Sequence, residues 1–377
     1  MLRCAFFLAK EKIMEKRYLS QERINLALTN KFLRLCVLGV ETCNFNCIYC
    51  PQDHIYDKSG PYPKDHATRF PGWTAKQEYA LRNGILRKIK TDGLQTVSLA
   101  WFGGEPMLNV PLIERLSQFI LEQDLQLTAG ITTNGSALTL LNFEKLRKSR
   151  VKAFKISFDG DKSDHDLYRV RKKGTKGTFD RIWSNLLKIK ETTDPYFKII
   201  LRIHINPFNV ERAPAFYDKV LKTFLDDSRF LVEIEAISNQ GGESYKKNFG
   251  AAPILHKDKD PNMVAVKLRN QLPKQNRVYY FDQSITDAPK CATADPNSWV
   301  VRAPADGSEL TLGKCTVQLN WTVGKIGFDG KWGDWDAEKL RPFTDPWGDG
   351  TIETIDVESL ECNMRSWFKK KKQTRRY

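Results

Sequence analysis

From residue 31 to residue 237 the chain alternates between two kinds of segment. Six β-prone apolar runs, KFLRLCVLGV (31–40), LQTVSLAWF (94–102), LQLTAGITT (125–133), KAFKISFDG (152–160), YFKIILRIHIN (196–206) and RFLVEIEAI (229–237), are separated by stretches with helical spacing at 74–90, 110–124, 139–149, 178–192 and 211–226. Thr74 reads as the N-cap of the first of these helices. Strand and helix in strict turn predict an α/β fold with a parallel sheet, open or curled into a partial barrel. Such sheets hold their ligands at the carboxyl ends of the strands. Residues 51–73, rich in Pro, Gly and Asp, read as a long loop.

The cysteines are placed where that rule expects chemistry. ETCNFNCIYCPQ (41–52) follows the first strand and carries Cys43, Cys47 and Cys50 at spacing C-x₃-C-x₂-C. A structural zinc site wants four ligands, usually as two separated pairs. A [4Fe–4S] cube usually takes four thiolates. Three thiols on one loop leave one iron open, which suits a reactive cluster better than a structural one. The chain has eight cysteines in 377 residues, too few for a disulfide scaffold.

Composition narrows the class further. The chain is 41% hydrophobic and 28% charged, a soluble globular balance. No apolar run approaches the ~18 residues of a membrane span. The opening MLRCAFFLAKEKI lacks a small-residue cleavage site and is not read as a signal peptide. The expectation is a cytoplasmic protein with reduced thiols and no membrane partner. The net charge of +15 favours acidic partners. No recognised nucleic-acid module accompanies it, and the tail KKKKQTRRY reads as a solvated end.

Other motifs sit at the remaining strand ends. WFGGEPML places Gly103, Gly104 and Glu105 after the second strand. The glycines allow close backbone approach, and Glu105 adds a carboxylate beside it. ITTNG ends the third strand with Asn134, and KISFDG ends the fourth with Ser157 and Asp159 on one face by alternation. Each also serves as an ordinary cap or turn residue.

With these motifs together the chain resembles the radical S-adenosylmethionine (SAM) superfamily. The resemblance implies a partial (β/α)6 TIM-like barrel. It implies that Cys43, Cys47 and Cys50 bind a [4Fe–4S] cluster whose fourth iron chelates S-adenosyl-L-methionine. Reductive cleavage of that sulfonium gives a 5′-deoxyadenosyl radical, which takes a hydrogen from the substrate. Tyr49, just before the third cysteine, matches the aromatic near the adenine, and plain packing is its competing account. The resemblance places Gly103, Gly104, Glu105, Asn134, Ser157 and Asp159 around the cofactor, with Arg169 and Arg202 reaching the same pocket. For Arg202 a buried ion pair is the alternative.

The stretch DHDLYRVRKKGTKGTFDRIWSNL (164–186) contains His165, Arg169, Gly174, Gly177, Thr178, Phe179 and Asn185. It is similar to the branch that modifies peptides and proteins, including anaerobic sulfatase maturases. His165 itself reads as a solvent-exposed residue at a helix start. The branch implies a peptide or protein substrate, suited to an acidic segment, and an electron donor such as flavodoxin or ferredoxin. It also implies a small, irregular SPASM/twitch-like C-terminal domain over 241–377, after a helical extension at 1–30 and the barrel at 31–240. Cys291 and Cys315 resemble the first ligands of its auxiliary Fe–S cluster, but only Cys362 follows. Three ligands hold one open cube or none, and none is the preferred reading. Two other classes remain open: radical chemistry on a nucleic acid, which predicts strongly salt-dependent binding, and a non-catalytic iron–sulfur or zinc sensor.

Overall fold

The computed structural model describes residues 31–40, 42–50, 73–172, 177–237, 249, 259–276, 298–304, 307–313 and 324–333. All six expected strands are present: β1 (Phe32–Val40), β3 (Thr96–Gly103), β4 (Gln126–Thr133), β5 (Val151–Phe158), β7 (Lys198–Ile205) and β8 (Phe230–Ala236). They pair in chain order, each parallel to the next. The connections are α1 (Ala75–Asp92), α2 (Val110–Leu121), α3 (Leu140–Lys148), α4 (Lys162–Tyr168), α5 (Phe179–Lys190) and α6 (Ala213–Phe224). This is the (β/α)6 partial barrel.

Strand alternation divides the sheet into two faces. On β5, Phe154, Ile156 and Phe158 enter the main core, and Phe158 meets Phe179 and Trp183 of α5 and Phe216 of α6. Lys155 and Ser157 therefore face the barrel's concave side. A small apolar cluster of Cys36, Leu38, Ala100 and Val300, with Phe102 against it, lines that same side. Thr74 caps α1 as expected, in a reciprocal capping box with Gln77.

Two arrangements differ from the sequence reading. The alternation does not end at 240: helix α7 (Pro261–Gln271) packs on β8 and buries Ala265 and Leu268. Strand β9 (Ser298–Arg302) then pairs parallel to β1, and β10 (Leu310–Gly313) and β11 (Gly324–Ile326) continue the same sheet antiparallel. The described strands after 240 thus extend the barrel sheet and cover the edge of β1, whose unpaired N–H and C=O groups would otherwise be exposed. Behind β11, Trp332 donates from Nε1 to the Gly84 carbonyl at 3.2 Å, and a Cβ at Gly84 would lie 2.9 Å from that nitrogen. This contact explains a glycine inside α1, where it costs about 1 kcal/mol of helix propensity.

The second difference is a two-stranded ribbon, β2 (Phe45–Cys47) with β6 (Arg169–Arg171). The cysteine segment is therefore partly strand rather than loop alone. Among the described residues no helix is long and apolar enough to cross a membrane. Residues 1–30, most of the 51–73 loop, and Cys291, Cys315 and Cys362 lie outside the described residues.

Candidate active site at the carboxyl ends of the barrel strands

The ends of β1 and β3 approach each other closely. Gly103 has φ of 115°, and a Cβ there would stand 2.3 Å from the Val40 carbonyl oxygen. Only glycine fits that left-handed position. Gly104 N–H then donates to Val40 O at 2.8 Å, and Glu105 N–H to Thr42 O at 2.9 Å. The two glycines thus fix the start of the cysteine segment.

Glu105 is almost fully buried at 1% exposure. Its Oε1 accepts from Met107 N–H at 3.0 Å and Thr133 Oγ1 at 2.6 Å, and its Oε2 from Asn134 N–H at 2.7 Å. Burial raises its carboxyl above the usual range against the pull of these three hydrogen bonds. Both oxygens are engaged by the protein, so Glu105 binds the end of β3 to the end of β4. Asn134 carries the link onward: Nδ2 donates to Asn44 Oδ1 at 2.7 Å and lies 3.9 Å from Cys43 Sγ. Asn44 Nδ2 in turn donates to Ser136 Oγ at 3.1 Å.

The ribbon holds the rest of the cysteine segment. Cys47 pairs with Arg169 and Phe45 with Arg171, while Ile48 N–H donates to Tyr168 O and Lys172 N–H to Asn44 O. Phe45 N–H donates to Cys43 Sγ at 3.3 Å. Cys43, Cys47 and Cys50 are reduced thiols, each half-buried.

Tyr49, between the second and third cysteines, is tied down by its hydroxyl. It donates to Asp159 Oδ1 at 2.8 Å, accepts from Arg169 Nη1 at 3.0 Å and lies 3.2 Å from His204 Nδ1. His204 Nδ1 is also 3.0 Å from Asp159 Oδ1. Burial alone would raise the Asp159 carboxyl, but the His204 hydrogen bond and the Arg169 charge hold it below its ordinary value. Burial likewise pushes the Tyr49 hydroxyl well up. One polar knot thus joins the cysteine segment to the ends of β5 and β7.

Residues 37–220 match the Radical SAM superfamily. The cysteine triplet at the end of β1 lies within this match, on the barrel the family uses. The chain carries a radical SAM domain.

Among curated proteins, the chain is 29% identical over 160 residues to the radical SAM cyclopropyl synthase TigE of Paramaledivibacter caminithermalis, covering 41% of this chain and 33% of that protein. It is 26% identical over 176 residues to the Fe-coproporphyrin III synthase of Methanosarcina barkeri, covering 47% of this chain and 38% of that protein. The match thus spans about a third of each relative's length. Among solved structures, native anSMEcpe with AdoMet and a Kp18Cys peptide bound superposes with a TM-score of 0.56 at 18% identity, over 82% of this chain and 80% of that one. Native anSMEcpe with AdoMet gives 0.55 at 17% identity with the same coverage. These likenesses establish the fold.

Radical SAM proteins use a [4Fe–4S] cluster and S-adenosylmethionine, and the donor set here fits a cube. Cys43, Cys47 and Cys50 supply three thiols close enough to perturb one another's ionisation. Burial pushes the Cys43 thiol up to about 11 and the Cys47 thiol higher still, so iron binding must displace their protons. Among the described residues no three His, Cys, Asp or Glu side chains converge on a single metal ion. A cube, with an iron for each thiolate, does not ask for that convergence.

Three expectations are revised within the radical SAM domain. Arg202 does not stand free for a cofactor: its Nε donates to Glu233 Oε2 at 2.6 Å, beside Lys155 Nζ at 3.2 Å from the same oxygen. The ion pair, the alternative for this residue, is what the β7–β8 register Arg202↔Glu233 produces. His165 is not exposed but fully buried, with Nε2 3.1 Å from Thr178 Oγ1, and burial lowers its imidazole to about 3. It braces the start of α5, as Asn185 Nδ2 braces the Gly135 carbonyl at 3.1 Å. Arg169 points into the Tyr49–Asp159 knot, 3.8 Å from Asp159 Oδ1. Ser157 lies beside Arg202 in register and is 7% exposed on the concave face. His204, which motif reading passed over, belongs to the site; its signal was the parity of RIHI, which puts it on the concave face with Arg202.

The Glu233 cluster sets an acid limit on the barrel. Burial would raise this carboxyl, but Arg202 and Lys155 outweigh it and bring it from 4.5 to about 2. A depressed folded value means the stabilisation is complete above the unfolded value and is lost as pH falls from 4.5 towards 2. About 3 kcal/mol is at stake. Urea unfolding of the wild type is expected to lose that much between those pH values, and Glu233→Gln to lose markedly less of its own stability over the same interval.

Proposed function

We propose that this chain is a radical SAM enzyme that modifies a side chain of a peptide or protein, by crosslink, epimerisation or oxidation after hydrogen abstraction. The observation that carries the radical chemistry is the placement of Cys43, Cys47 and Cys50 on the ribbon and turn at the carboxyl end of β1, within the family match. The peptide reading rests on the HDLYR…GTKGTF stretch, on the basic net charge of +15, and on the anSMEcpe structure with its bound peptide as fold precedent.

When bound, the cluster and S-adenosylmethionine supply the one-electron chemistry that generates the hydrogen-abstracting radical. The chain's own residues bind, orient and shield. Cys43, Cys47 and Cys50 hold the cluster. Gly103 and Gly104 bring the β3 backbone to the cofactor's edge, Glu105 and Asn134 keep that edge rigid, and Ser157 offers a hydroxyl from the concave face. Asp159, Arg169 and His204 hold Tyr49, and with it the turn between Cys47 and Cys50. On this reading Cys291, Cys315 and Cys362 hold no second cluster.

The test uses anaerobically prepared wild-type chain reduced with dithionite. About four irons and four sulfides per chain, with S-adenosylmethionine converted to methionine and 5′-deoxyadenosine, are the expected results. Zinc in place of iron, or no 5′-deoxyadenosine under strong reductant, ends the proposal. About eight irons would give Cys291, Cys315 and Cys362 a cluster of their own. Strongly salt-dependent binding to RNA or DNA would favour the nucleic-acid reading.

A further inference from the structure

The concave face of the barrel changes character from its floor to its rim. Strand alternation and register sort its side chains into levels. The floor is Arg34, Ser98 and Thr128, side by side on β1, β3 and β4. The level above it is Cys36, Ala100, Gly130 and, on β5, Ala153. None of these four is larger than a cysteine, so the wall stands back at this height.

Arg34 is 8% exposed, and its Nε is buried without a hydrogen-bond partner. Its guanidinium carbon lies 5.7 Å from the centre of the Phe32 ring. Among the described residues no acid occupies a concave position on β1, β3, β4 or β5. The acids of β8 are placed elsewhere: Glu233 is held by Lys155 and Arg202, and Glu235 pairs in register with His204 towards the rim. A buried cation without a counter-charge is costly, and an anion brought in by a ligand removes that cost. Ser98 and Thr128 add a hydroxyl on each of the next two strands. A guanidinium flanked by hydroxyl donors is the complement of a carboxylate.

We propose that Arg34, with Ser98 and Thr128, binds the side-chain carboxylate of an acidic residue in the peptide substrate, its stem lying against Cys36, Ala100, Gly130 and Ala153. The inference rests on the peptide reading above and adds a residue type the substrate carries. An unbranched stem ending in a charge matches a recess of small side chains that ends in a cation. Arg34 precedes Val40, the last residue of β1, by six positions, about 20 Å of strand. The anchored residue is therefore not the one that reacts beside the cysteines but one further along the peptide. Arg34 determines specificity and takes no part in the radical step.

The test is isothermal titration of the anaerobically prepared full chain, wild type and Arg34→Met, at fixed ionic strength. The probe is N-acetylglutamic acid α-amide, which has a side-chain carboxylate and no terminal one. N-acetylglutamine amide is its neutral control, and N-acetylalanine carries a terminal carboxylate alone. The wild type is expected to prefer the acidic probe to its neutral control, and Arg34→Met to bind that probe at least about tenfold more weakly. Without a probe, Arg34→Met is expected to melt no lower than the wild type, because methionine replaces an unpaired buried charge. Equal binding by the two proteins overturns the site. A lower melting midpoint of Arg34→Met also overturns it, by making Arg34 a structural cation with a partner inside the chain. Preference for N-acetylalanine, or equal competition by inorganic sulfate, overturns the side-chain assignment. A wild type that binds the probe yet forms no 5′-deoxyadenosine with dithionite leaves this site standing and ends the enzymatic reading instead.

Discussion

Cys47→Ala is expected to abolish the brown iron–sulfur chromophore and to bring 5′-deoxyadenosine formation to background. Cys47 sits in β2, paired with Arg169, so its thiol is placed by the ribbon and not by a free loop. No fourth cysteine of the described residues stands near to replace it: Cys36 is buried on β1 among Leu38, Ala100 and Val300. Two remaining thiols hold a cube too weakly to keep it. The substitution removes one sulfur from a half-buried position, so the fold should persist. Far-ultraviolet circular dichroism and the urea midpoint of the iron-free protein are expected to change little. Cys36→Ala, the control, is expected to retain both the chromophore and the activity. A Cys47→Ala protein that still makes 5′-deoxyadenosine would remove this residue from the site.

Glu105→Ala is expected to destabilise the iron-free barrel by about 3–5 kcal/mol, read as a lower urea midpoint. The carboxylate receives Met107 N–H, Thr133 Oγ1 and Asn134 N–H in a site at 1% exposure. Alanine leaves all three donors buried without that acceptor and opens a cavity. The damage is also expected to reach the cysteines. Asn134 loses its backbone anchor, and its side chain is the contact to Asn44 and Cys43. Iron incorporation should therefore fall together with stability. Glu105→Gln keeps the shape and one acceptor oxygen, yet turns an amide N–H₂ towards one of the donors. Its cost is expected to be smaller, about 1–3 kcal/mol. Equal stability of Glu105→Ala and wild type would show that water takes the place of the carboxylate.

The local features of this chain were legible because they depend on neighbours along the sequence. Apolar runs of strand length alternating with helical spacing predict a parallel sheet, and the six strands form in the expected places. The Thr74–Gln77 box is a four-residue pattern and appears as one. The C-x₃-C-x₂-C spacing and the Gly-Gly-Glu turn were visible for the same reason, and they locate the site at the strand ends.

What pairs with what across the chain was not legible, because a hydrogen bond between distant segments leaves no periodic trace. Nothing in FNC or RVR announces that β2 and β6 form a ribbon 124 residues apart in register (Phe45↔Arg171 to Cys47↔Arg169). Nothing in SWVVR says that it will close the edge of β1. Arg202 was readable as a cofactor residue or half of an ion pair, and only the strand register, with Glu233 opposite, decided it. His165 is polar and lies at a helix start, yet packing against Phe158 and Phe179 buries it. The sequence by itself determined the barrel and the thiols at its rim, since both follow from local pattern. Tertiary structure alone decided how those thiols are braced, because the braces are contacts between residues that only folding brings together.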